Sequence, residues 1–329
     1  LGPLRVRHNG TVTWSPQTGT HYQRGYIYGQ TDLTAWRSQL LVGESATSLF
    51  NDAQAMLDRI INEKWLTARG VAGLWPCRRE GDDIIVHVED EKHVTLPMLR
   101  QQIAKREGRA NMCLADFISH DGDWMGGFAV SIHGIEPHLA RFKNAIDDYS
   151  DILLKALADR LAEAFAERLH HYVRTALWGY AEGEQLTNEA LIKEQYRGIR
   201  PAPGYPACPE HSLKPLLFDM LDAHHATGIT LTESFAMLPP AAVSGFYFGH
   251  PQAEYFGVAR VGRDQLEDYA KRRGVAGIVY AFKIAGAAAA EGRNLAGVTA
   301  VTQKAVDATR TIGVALTPCI VPAAGKPTF

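Results

Sequence analysis

Residues 151–180 read DILLKALADRLAEAFAERLHHYVRTALWGY, and they carry the most regular pattern in the chain. Apolar residues recur every four positions, and further apolar residues widen the stripe, at Leu153, Leu157, Leu161, Phe165, Leu169, Val173 and Leu177 and at Leu154, Ala158, Ala162 and Ala166. This spacing predicts a long helix with one buried face, packed on a sheet. The charged residues off the stripe, Asp159, Glu163, Glu167 and Arg168, are interpreted mostly as a solvated face.

The expected sheet lies on both sides of this helix in the sequence. GVAGLWPCRREGDDIIVHVED (70–90) predicts two strands around a charged turn, and LADFISHDGDWMGGFAVSIHG (114–134) predicts a second strand, turn and strand. AAVSGFYFGHPQAEYFGVARV (241–261) predicts an antiparallel pair joined near 250–252, and a helix is expected within 45–65. Long helices beside hairpins indicate an α+β fold.

The stretch IRPAPGYPACPEH (199–211), called the proline loop below, contains four prolines and one glycine. Each proline sets φ and removes an N–H group, which excludes a helix interior or a central strand. A stiff loop holds its remaining polar groups in place, so that binding a ligand costs less ordering. Arg200 can bind a carboxylate, and Tyr205, Tyr255 and Phe256 offer aromatic faces. A purely structural crossing between two elements is the alternative interpretation.

Composition excludes several classes of function. Lys and Arg total 34 against 36 Asp and Glu, so the net charge of −2 argues against a nucleic-acid partner. No apolar run approaches the roughly 20 residues of a membrane span, which predicts a soluble protein without a membrane partner. The four cysteines, Cys77, Cys113, Cys208 and Cys319, are far apart, and no signal peptide is recognisable. The cytoplasm is therefore the expected location.

Motifs for metal or catalytic chemistry are weak. The adjacent histidine pairs 170–171 and 224–225 point in different directions on a helix, and the CPEH stretch at 208–211 lacks further ligands, so no metal site is predicted. The glycines of GDWMGG (122–127) and AGAAAAEG (285–292) do not have dinucleotide or phosphate-loop spacing. No G-x-S-x-G nucleophile motif is present. No catalytic residue is predicted.

A family resemblance rests on RPAPGYPACPEH (200–211), LTESFAM (231–237), SGFYFGHP (244–251) and EYFGVARVGRDQLEDYAKRRG (254–274), together with KALADRLAEAFAE (155–167) and WGY (178–180). From about 43 to 274 the chain resembles the C-terminal activation domain of cobalamin-dependent methionine synthase. The resemblance implies a helmet-shaped α+β domain that binds S-adenosylmethionine (AdoMet) along the proline loop. It implies a reactivation role, in which AdoMet and an electron from flavodoxin or an equivalent reductase restore methylcobalamin from cob(II)alamin.

The resemblance also assigns roles to residues. Arg200 matches the arginine that holds the AdoMet carboxylate, Ala202 a backbone contact, Glu194 an acidic contact, and Tyr255 and Phe256 the aromatic pair of the groove. The face toward the corrin would include Tyr205 and His211, and Asp159 would contact the cobalamin module. Cobalamin itself would be bound by a partner domain of methionine synthase that is absent from this chain. The module is therefore not expected to turn over alone.

The two ends depart from this pattern. The family's opening Asp-Trp-x-Pro-Phe-Phe motif is absent from 1–42, and Asp32, the nearest acid by position, is not assigned its role. From about Arg273 the segments RGVAGIVYAFKIAGAAAAEGRNLAGV (273–298) and TIGVALTPCIVPAAGKPTF (311–329) resemble part of the substrate-binding subunit of dihydroxyacetone kinase, which implies an appended α/β fragment. The family's substrate-binding histidine is expected beyond Phe329.

This organisation predicts an unmatched segment at 1–42, an activation domain at 43–274 and a dihydroxyacetone-kinase-like fragment at 275–329. The leading hypothesis is an AdoMet-binding reactivation module. The alternatives are a fragment related to dihydroxyacetone kinase that lacks catalytic residues, or an inactive fusion.

Overall fold

The computed structural model describes residues 5–6, 12–14, 43–89, 92–105, 108–259, 261–273 and 284–308. The chain divides into two compact units, Leu1–Ala259 and Arg260–Phe329. The predicted domain boundaries near residues 42 and 274 stay predictions. Within the described residues, no helix is both long and apolar enough to cross a membrane.

The first unit is built on an antiparallel sheet. Its strands within the described residues are β1 (Arg5–Val6), β2 (Val12–Trp14), β3 (Thr67–Glu80), β4 (Asp83–Glu89), β5 (Lys92–Pro97), β6 (Asp123–His133) and β9 (Ala242–Tyr247). The long strand β3 pairs with β2 and β4 along one edge and with β6 along the other. Strand β6 then pairs with β9, so that β9 lies beside the proline loop. The predicted α+β fold with an antiparallel sheet is confirmed.

The predicted long helix is α3 (Asp148–Tyr172), and it packs on β6 and β9. Its first turn is capped because the Asp147 carboxylate accepts a hydrogen bond from the Ser150 N–H at 3.0 Å. The apolar stripe from Leu153 to Leu169 is buried, as the spacing predicts. The chain then continues through a π-helical turn, Val173–Leu177, which places Arg174 in the interior.

Helices cover both faces of the sheet. On one face α3 packs with α1 (Gly43–Asn62), which confirms the helix expected within 45–65, and α2 (Glu136–Asn144) precedes α3. On the other face α5 (Leu213–Leu221) and α6 (Ala223–Thr227) pack over β3 and β6, where Trp75, Phe246 and Leu217 are fully buried. Burial on both faces explains why the middle of β6 is apolar without alternation.

The hairpin prediction is confirmed for β3 and β4, whose turn contains Gly81 at φ 61°. It is wrong for 114–134, where Leu114–Phe117 form a 3₁₀ helix and only β6 is a strand. The Asp116 carboxylate stabilises this helix by accepting from the Cys113 N–H at 2.9 Å. The apolar run LADF is thus buried as one helical turn.

The predicted antiparallel pair within 241–261 is also wrong. Strand β9 pairs with β6, and residues 253–259 form no strand. The backbone of this segment bonds to the proline loop instead, since the Val258 N–H donates to the Pro206 carbonyl at 2.8 Å. The helix expected to end near Gly198 is shorter than predicted and forms α4 (Asn188–Ile192). The stretch 229–237, which was expected to be extended, contains a small hairpin of β7 (Thr230–Leu231) and β8 (Met237–Leu238).

The second unit contains α7 (Arg263–Arg272), a helical run at 284–290 and α8 (Leu295–Ala308) among its described residues. The run at 284–290 and α8 agree with the two helices expected after Gly274, whereas α7 precedes the predicted fragment. The strand expected in TIGVALTPCIV (311–321) lies outside the described residues.

Candidate functional site

An open groove of about 760 Å³ runs along the proline loop. Its walls come from the loop, from β6 and β9, from helix α3 and from the segment after β9. The lining residues are Phe128, Arg160, Glu163, Glu194, Arg200, Pro201, Ala202, Tyr205, Pro206, Ala207, Val243, Tyr255, Phe256 and Gly257. Its size is within the range of small-molecule sites, about 300–1,000 Å³.

Hydrogen bonds on both flanks hold the proline loop in place. On the β9 side, Ile199 and Phe248 exchange backbone hydrogen bonds of 2.9 and 3.0 Å, and the Phe246 N–H donates to the Pro201 carbonyl at 2.9 Å. On the other side the Val258 N–H holds the Pro206 carbonyl. The loop can approach β9 this closely because position 245 is glycine: a Cβ there would lie 2.7 Å from the Pro201 oxygen.

Arg200 is the cation at the head of this loop. Its side chain is 20% exposed, and Nη2 donates to Glu167 Oε2 at 2.8 Å. Burial disfavours the charged guanidinium, but Glu167 and the neighbouring tyrosine hydroxyls outweigh burial and raise the pKa of Arg200. Arg200 Nε is buried and has no hydrogen-bond partner. This arginine is therefore charged, partly desolvated and incompletely paired.

Tyr255 links the loop to the segment after β9. The Arg200 backbone N–H donates to the Tyr255 hydroxyl at 2.9 Å, and the Tyr196 hydroxyl is also hydrogen-bonded to it. Burial raises the pKa of Tyr255, although the residue as a whole is 37% exposed. The hydroxyl end is thus buried while part of the ring faces the groove. Phe256 follows it, with its ring 6.4 Å from that of Phe117 in the core.

The groove contains charges of both signs. Glu194 lies in the turn after α4 at φ 53°, and Glu163 and Arg160 reach the groove from α3. Together with Arg200 they give two carboxylates and two guanidinium groups among the lining residues. Such a site suits a ligand that carries an anionic group and cationic groups at separate positions.

All five residues predicted to contact AdoMet, Arg200, Ala202, Glu194, Tyr255 and Phe256, line this groove. Of the three residues predicted for the cobalamin face, Tyr205 lines the groove and is 58% exposed. His211, the last residue of the proline loop, is exposed, with its ring against Gly204 and its Nδ1 2.9 Å from Lys214 Nζ. Asp159 is exposed on α3 and does not line the groove. The roles of all eight residues stay predictions.

The interpretation of the charged positions on α3 as mostly solvated is wrong for two of them. Glu163 is half-buried in the groove wall, and the Glu167 side chain is only 16% exposed because it pairs with Arg200. The spacing of Asp159, Glu163 and Glu167 at i, i+4 and i+8 indicates a shared helix face. That spacing could have marked the face, but only the packing of the proline loop against α3 shows that it is covered.

Cys208 in the proline loop is not a candidate metal ligand or nucleophile. The thiol is buried, and burial raises its pKa to about 12, so it remains protonated at neutral pH. Among the residues that the structure describes, no group of three or more His, Cys, Asp or Glu side chains could hold a metal ion. The groove is thus lined by charged side chains, aromatic faces and backbone groups.

Comparisons with known proteins give two family matches and a similar fold. A family model described as the activation domain of vitamin B12-dependent methionine synthase matches residues 21–274, and a Dak1 domain model matches residues 261–329. The fold is similar to the crystal structure of the MetH reactivation domain bound to AdoHcy, with a TM-score of 0.74 and 46% sequence identity. That alignment covers 82% of this chain and 88% of the other. Both predicted resemblances are confirmed.

Proposed function

Because this chain belongs to the family of activation domains of vitamin B12-dependent methionine synthase, we propose that its groove along the proline loop binds S-adenosylmethionine for reactivation of the cobalamin cofactor. The observation that carries the proposal is that all five residues predicted to contact AdoMet line one groove. The similarity to a reactivation domain bound to AdoHcy supports the same ligand class.

The residues of the groove fit the chemical groups of AdoMet. The Arg200 guanidinium is a donor for the carboxylate. Glu194 and Glu163 are the acids that can balance the ammonium and the sulfonium. The exposed part of the Tyr255 ring and the backbone groups of the proline loop can hold the flat adenine.

AdoMet, when bound, supplies an activated methyl group. The residues of this chain bind and orient the ligand, and the prolines and the flanking hydrogen bonds keep the groove in its binding shape. Cys208, buried and protonated, takes no part as a nucleophile. The module therefore acts by presenting its ligand to an acceptor and is not expected to turn over by itself.

The partners we propose are the cobalamin-binding domain of methionine synthase and a flavodoxin or equivalent reductase. The exposed Tyr205 and His211 would face the corrin beside the groove, and exposed Asp159 would contact the cobalamin module from α3. The cytoplasmic location expected from the cysteines stays a prediction.

Calorimetric titration of the purified chain with AdoMet tests the ligand assignment, with titration of AdoHcy alongside. We expect saturable one-site binding of AdoMet. Arg168→Ala is a suitable control, because Arg168 is an exposed α3 cation outside the groove that bonds His171. Absence of binding by the folded wild-type chain would contradict the proposal.

A second candidate function follows from the Dak1 match at 261–329. The segment carries no residue predicted to bind dihydroxyacetone covalently or to transfer phosphate, so we expect no phosphorylation of dihydroxyacetone. A coupled assay with ATP and with phosphoenolpyruvate as donors, together with calorimetry using dihydroxyacetone, checks this expectation. Measurable turnover would make the second unit a kinase fragment with its own activity.

A further inference from the structure

A cluster of buried ion pairs lies behind Arg200. Glu167 Oε2 accepts from Arg200 Nη2 at 2.8 Å, and Glu167 Oε1 lies 3.8 Å from Arg174 Nη1. The side chain of Arg174 is fully buried, while those of Glu167 and Glu184 are 16% and 8% exposed. One carboxylate therefore stands between two guanidinium groups.

Arg174 is held on its other edge. Its Nε and Nη2 donate to the Glu184 carboxylate at distances of 2.7–3.2 Å, and its guanidinium carbon lies 4.3 Å from the centre of the Tyr196 ring. The π-helical turn after α3 brings this arginine inside. Arg174 is thus a buried cation beside Glu167, and it is not among the residues that line the groove.

The structure gives Arg200 two hydrogen bonds to protein groups and one buried donor without a partner. Its backbone N–H is bound by Tyr255, its Nη2 by Glu167, and its buried Nε has no partner. A free arginine side chain populates many rotamers. Bidentate binding of a carboxylate fixes the side chain in one rotamer and costs conformational entropy. A group that selects this rotamer beforehand lowers the cost of binding.

We infer that Glu167 is a positioning residue, which orients the Arg200 guanidinium to receive the ligand carboxylate. The inference rests on the proposed function, because it assigns the carboxylate of AdoMet to Arg200. Neither the sequence pattern nor the family resemblance assigned Glu167 a role. Its own contacts with Arg200 and Arg174 carry the inference.

The negative charge of Glu167 has an opposing effect, since it repels a ligand carboxylate at the same arginine. Two features weaken this repulsion. Arg174 lies beside the second Glu167 oxygen, and the four ionised groups Arg174, Arg200, Glu167 and Glu184 sum to zero. We therefore expect the loss of orientation to outweigh the relief of repulsion when Glu167 is replaced.

The test compares AdoMet with decarboxylated AdoMet, which keeps the sulfonium, the ammonium and the adenine. Calorimetry on Glu167→Gln and Glu167→Asp should show AdoMet affinity reduced about five- to tenfold, with affinity for decarboxylated AdoMet unchanged within twofold. In an Arg200→Ala background, Glu167→Gln should cause no further loss. Asp151→Asn, which removes one charge from the same helix outside the groove, should leave both affinities unchanged.

The outcomes separate the two proposals. Failure of the wild-type chain to bind AdoMet overturns the proposed function. If the wild type binds and the Glu167 variants lose affinity equally for both ligands, or lose none, or gain affinity, the positioning role is wrong. If circular dichroism shows that both Glu167 variants fail to fold, the cluster is a structural element and the inference is likewise overturned.

Discussion

Arg100 and Arg200 are both held by carboxylates, yet their guanidinium groups end in different states. Arg100 donates to Asp82, to Asp116 and to the Asn111 carbonyl through Nε, Nη1 and Nη2, at distances of 2.6–3.0 Å. Arg200 donates to Glu167 through Nη2, while its buried Nε has no partner. Exposure does not separate them, since their side chains are 29% and 20% exposed.

The difference indicates what each arginine is for. A guanidinium whose donors are all bound to protein joins chain segments, here the turn after β3, the segment after β5 and the 3₁₀ helix Leu114–Phe117. A guanidinium with a buried donor left unfilled bears a desolvation cost that only a further acceptor relieves. Arg174 Nη1 is likewise buried without a hydrogen-bond partner, so incomplete pairing alone does not identify a ligand-binding arginine. The position of Arg200 in the groove wall, together with its incomplete pairing, supports the role proposed for it.

The largest expected effect is on ligand affinity at Arg200. Replacing Arg200 with Ala removes a charge-assisted contact of about 1.5–3 kcal/mol, so AdoMet affinity should fall roughly ten- to a hundredfold. Arg200→Lys should recover little, because an ammonium lacks the planar fork. Isothermal titration measures both. If wild type and Arg200→Ala bound AdoMet with equal affinity, the ligand assignment would be wrong, and the proline loop would be only a structural connection between two elements.

Replacing Arg100 should lower the stability of the fold and leave the AdoMet affinity nearly unchanged. Arg100→Ala leaves Asp82 and Asp116 without their shared partner, so the free energy of unfolding should fall by about 2–3 kcal/mol. AdoMet affinity of the folded fraction should stay within twofold, because Arg100 does not line the groove. Urea unfolding and titration on the same sample check this. If Arg100→Ala lost as much AdoMet affinity as Arg200→Ala, the distinction between a structural Arg100 and a ligand-binding Arg200 would be wrong.

A smaller effect is expected from the backbone fit that places Arg200. In Gly245→Ala the new Cβ would lie 2.7 Å from the Pro201 carbonyl oxygen, so the proline loop must shift, at a cost of about 2 kcal/mol in unfolding free energy. Gly257→Ala is the stability control, since its nearest contact would be an ordinary 3.7 Å. Thermal melts distinguish the two variants, and equal melting temperatures would show that the loop tolerates the shift.

The smallest effect concerns pH and His170, which is fully buried, stacks on Tyr247 and has no partner on either ring nitrogen. Burial first, then Arg174 and Arg200, holds the pKa of His170 well below its ordinary 6.5. The unfolded state binds a proton below pH 6.5 and the folded state does not, so stability falls as pH falls. Between pH 7.5 and pH 5.5 this residue should therefore lower the free energy of unfolding.

The variant that tests the pH effect is His170→Phe, which keeps a ring of similar shape without a titrating group. Denaturant titrations at pH 7.5 and 5.5 should show a smaller loss of stability in the variant than in wild type. His133 and His138, whose pKa values burial also lowers, leave part of the pH dependence in place. An unchanged difference between the two pH values would mean that His170 is protonated in the folded chain.

Much of the fold follows from the sequence because its strongest signals are local. The stripe of α3 and the β3–β4 hairpin depend on periodicities of 3.6 and 2 that any buried helix or paired strand must show. The failures occur where distant contacts decide the structure. LADF at 114–117 is apolar enough for a strand, but the contacts of Asp116 with Arg79 and Arg100 favour a helical turn.

The candidate site shows the same division. Its residues on the proline loop were recognisable from a specific motif, and they line one groove. Glu163 and Glu167 lie in a helix whose exposed positions carry ordinary charges, so their types and spacing alone do not distinguish them from a solvated face. The alternation at 253–259 predicts a strand, because the same pattern arises whether the segment pairs with β9 or with a loop.

The sequence by itself determined the long amphipathic helix, the stiffness of the proline loop and the presence of Arg200 at its head, because these depend on side chains and backbone torsions of neighbouring residues. Only the tertiary structure decided which charges are paired. Glu167 meets Arg200 across 33 residues, and the Tyr255 hydroxyl meets the Arg200 backbone across 55. Such contacts arise when packed elements bring polar groups together away from water, where each needs a partner, and no local pattern encodes which partner it will find.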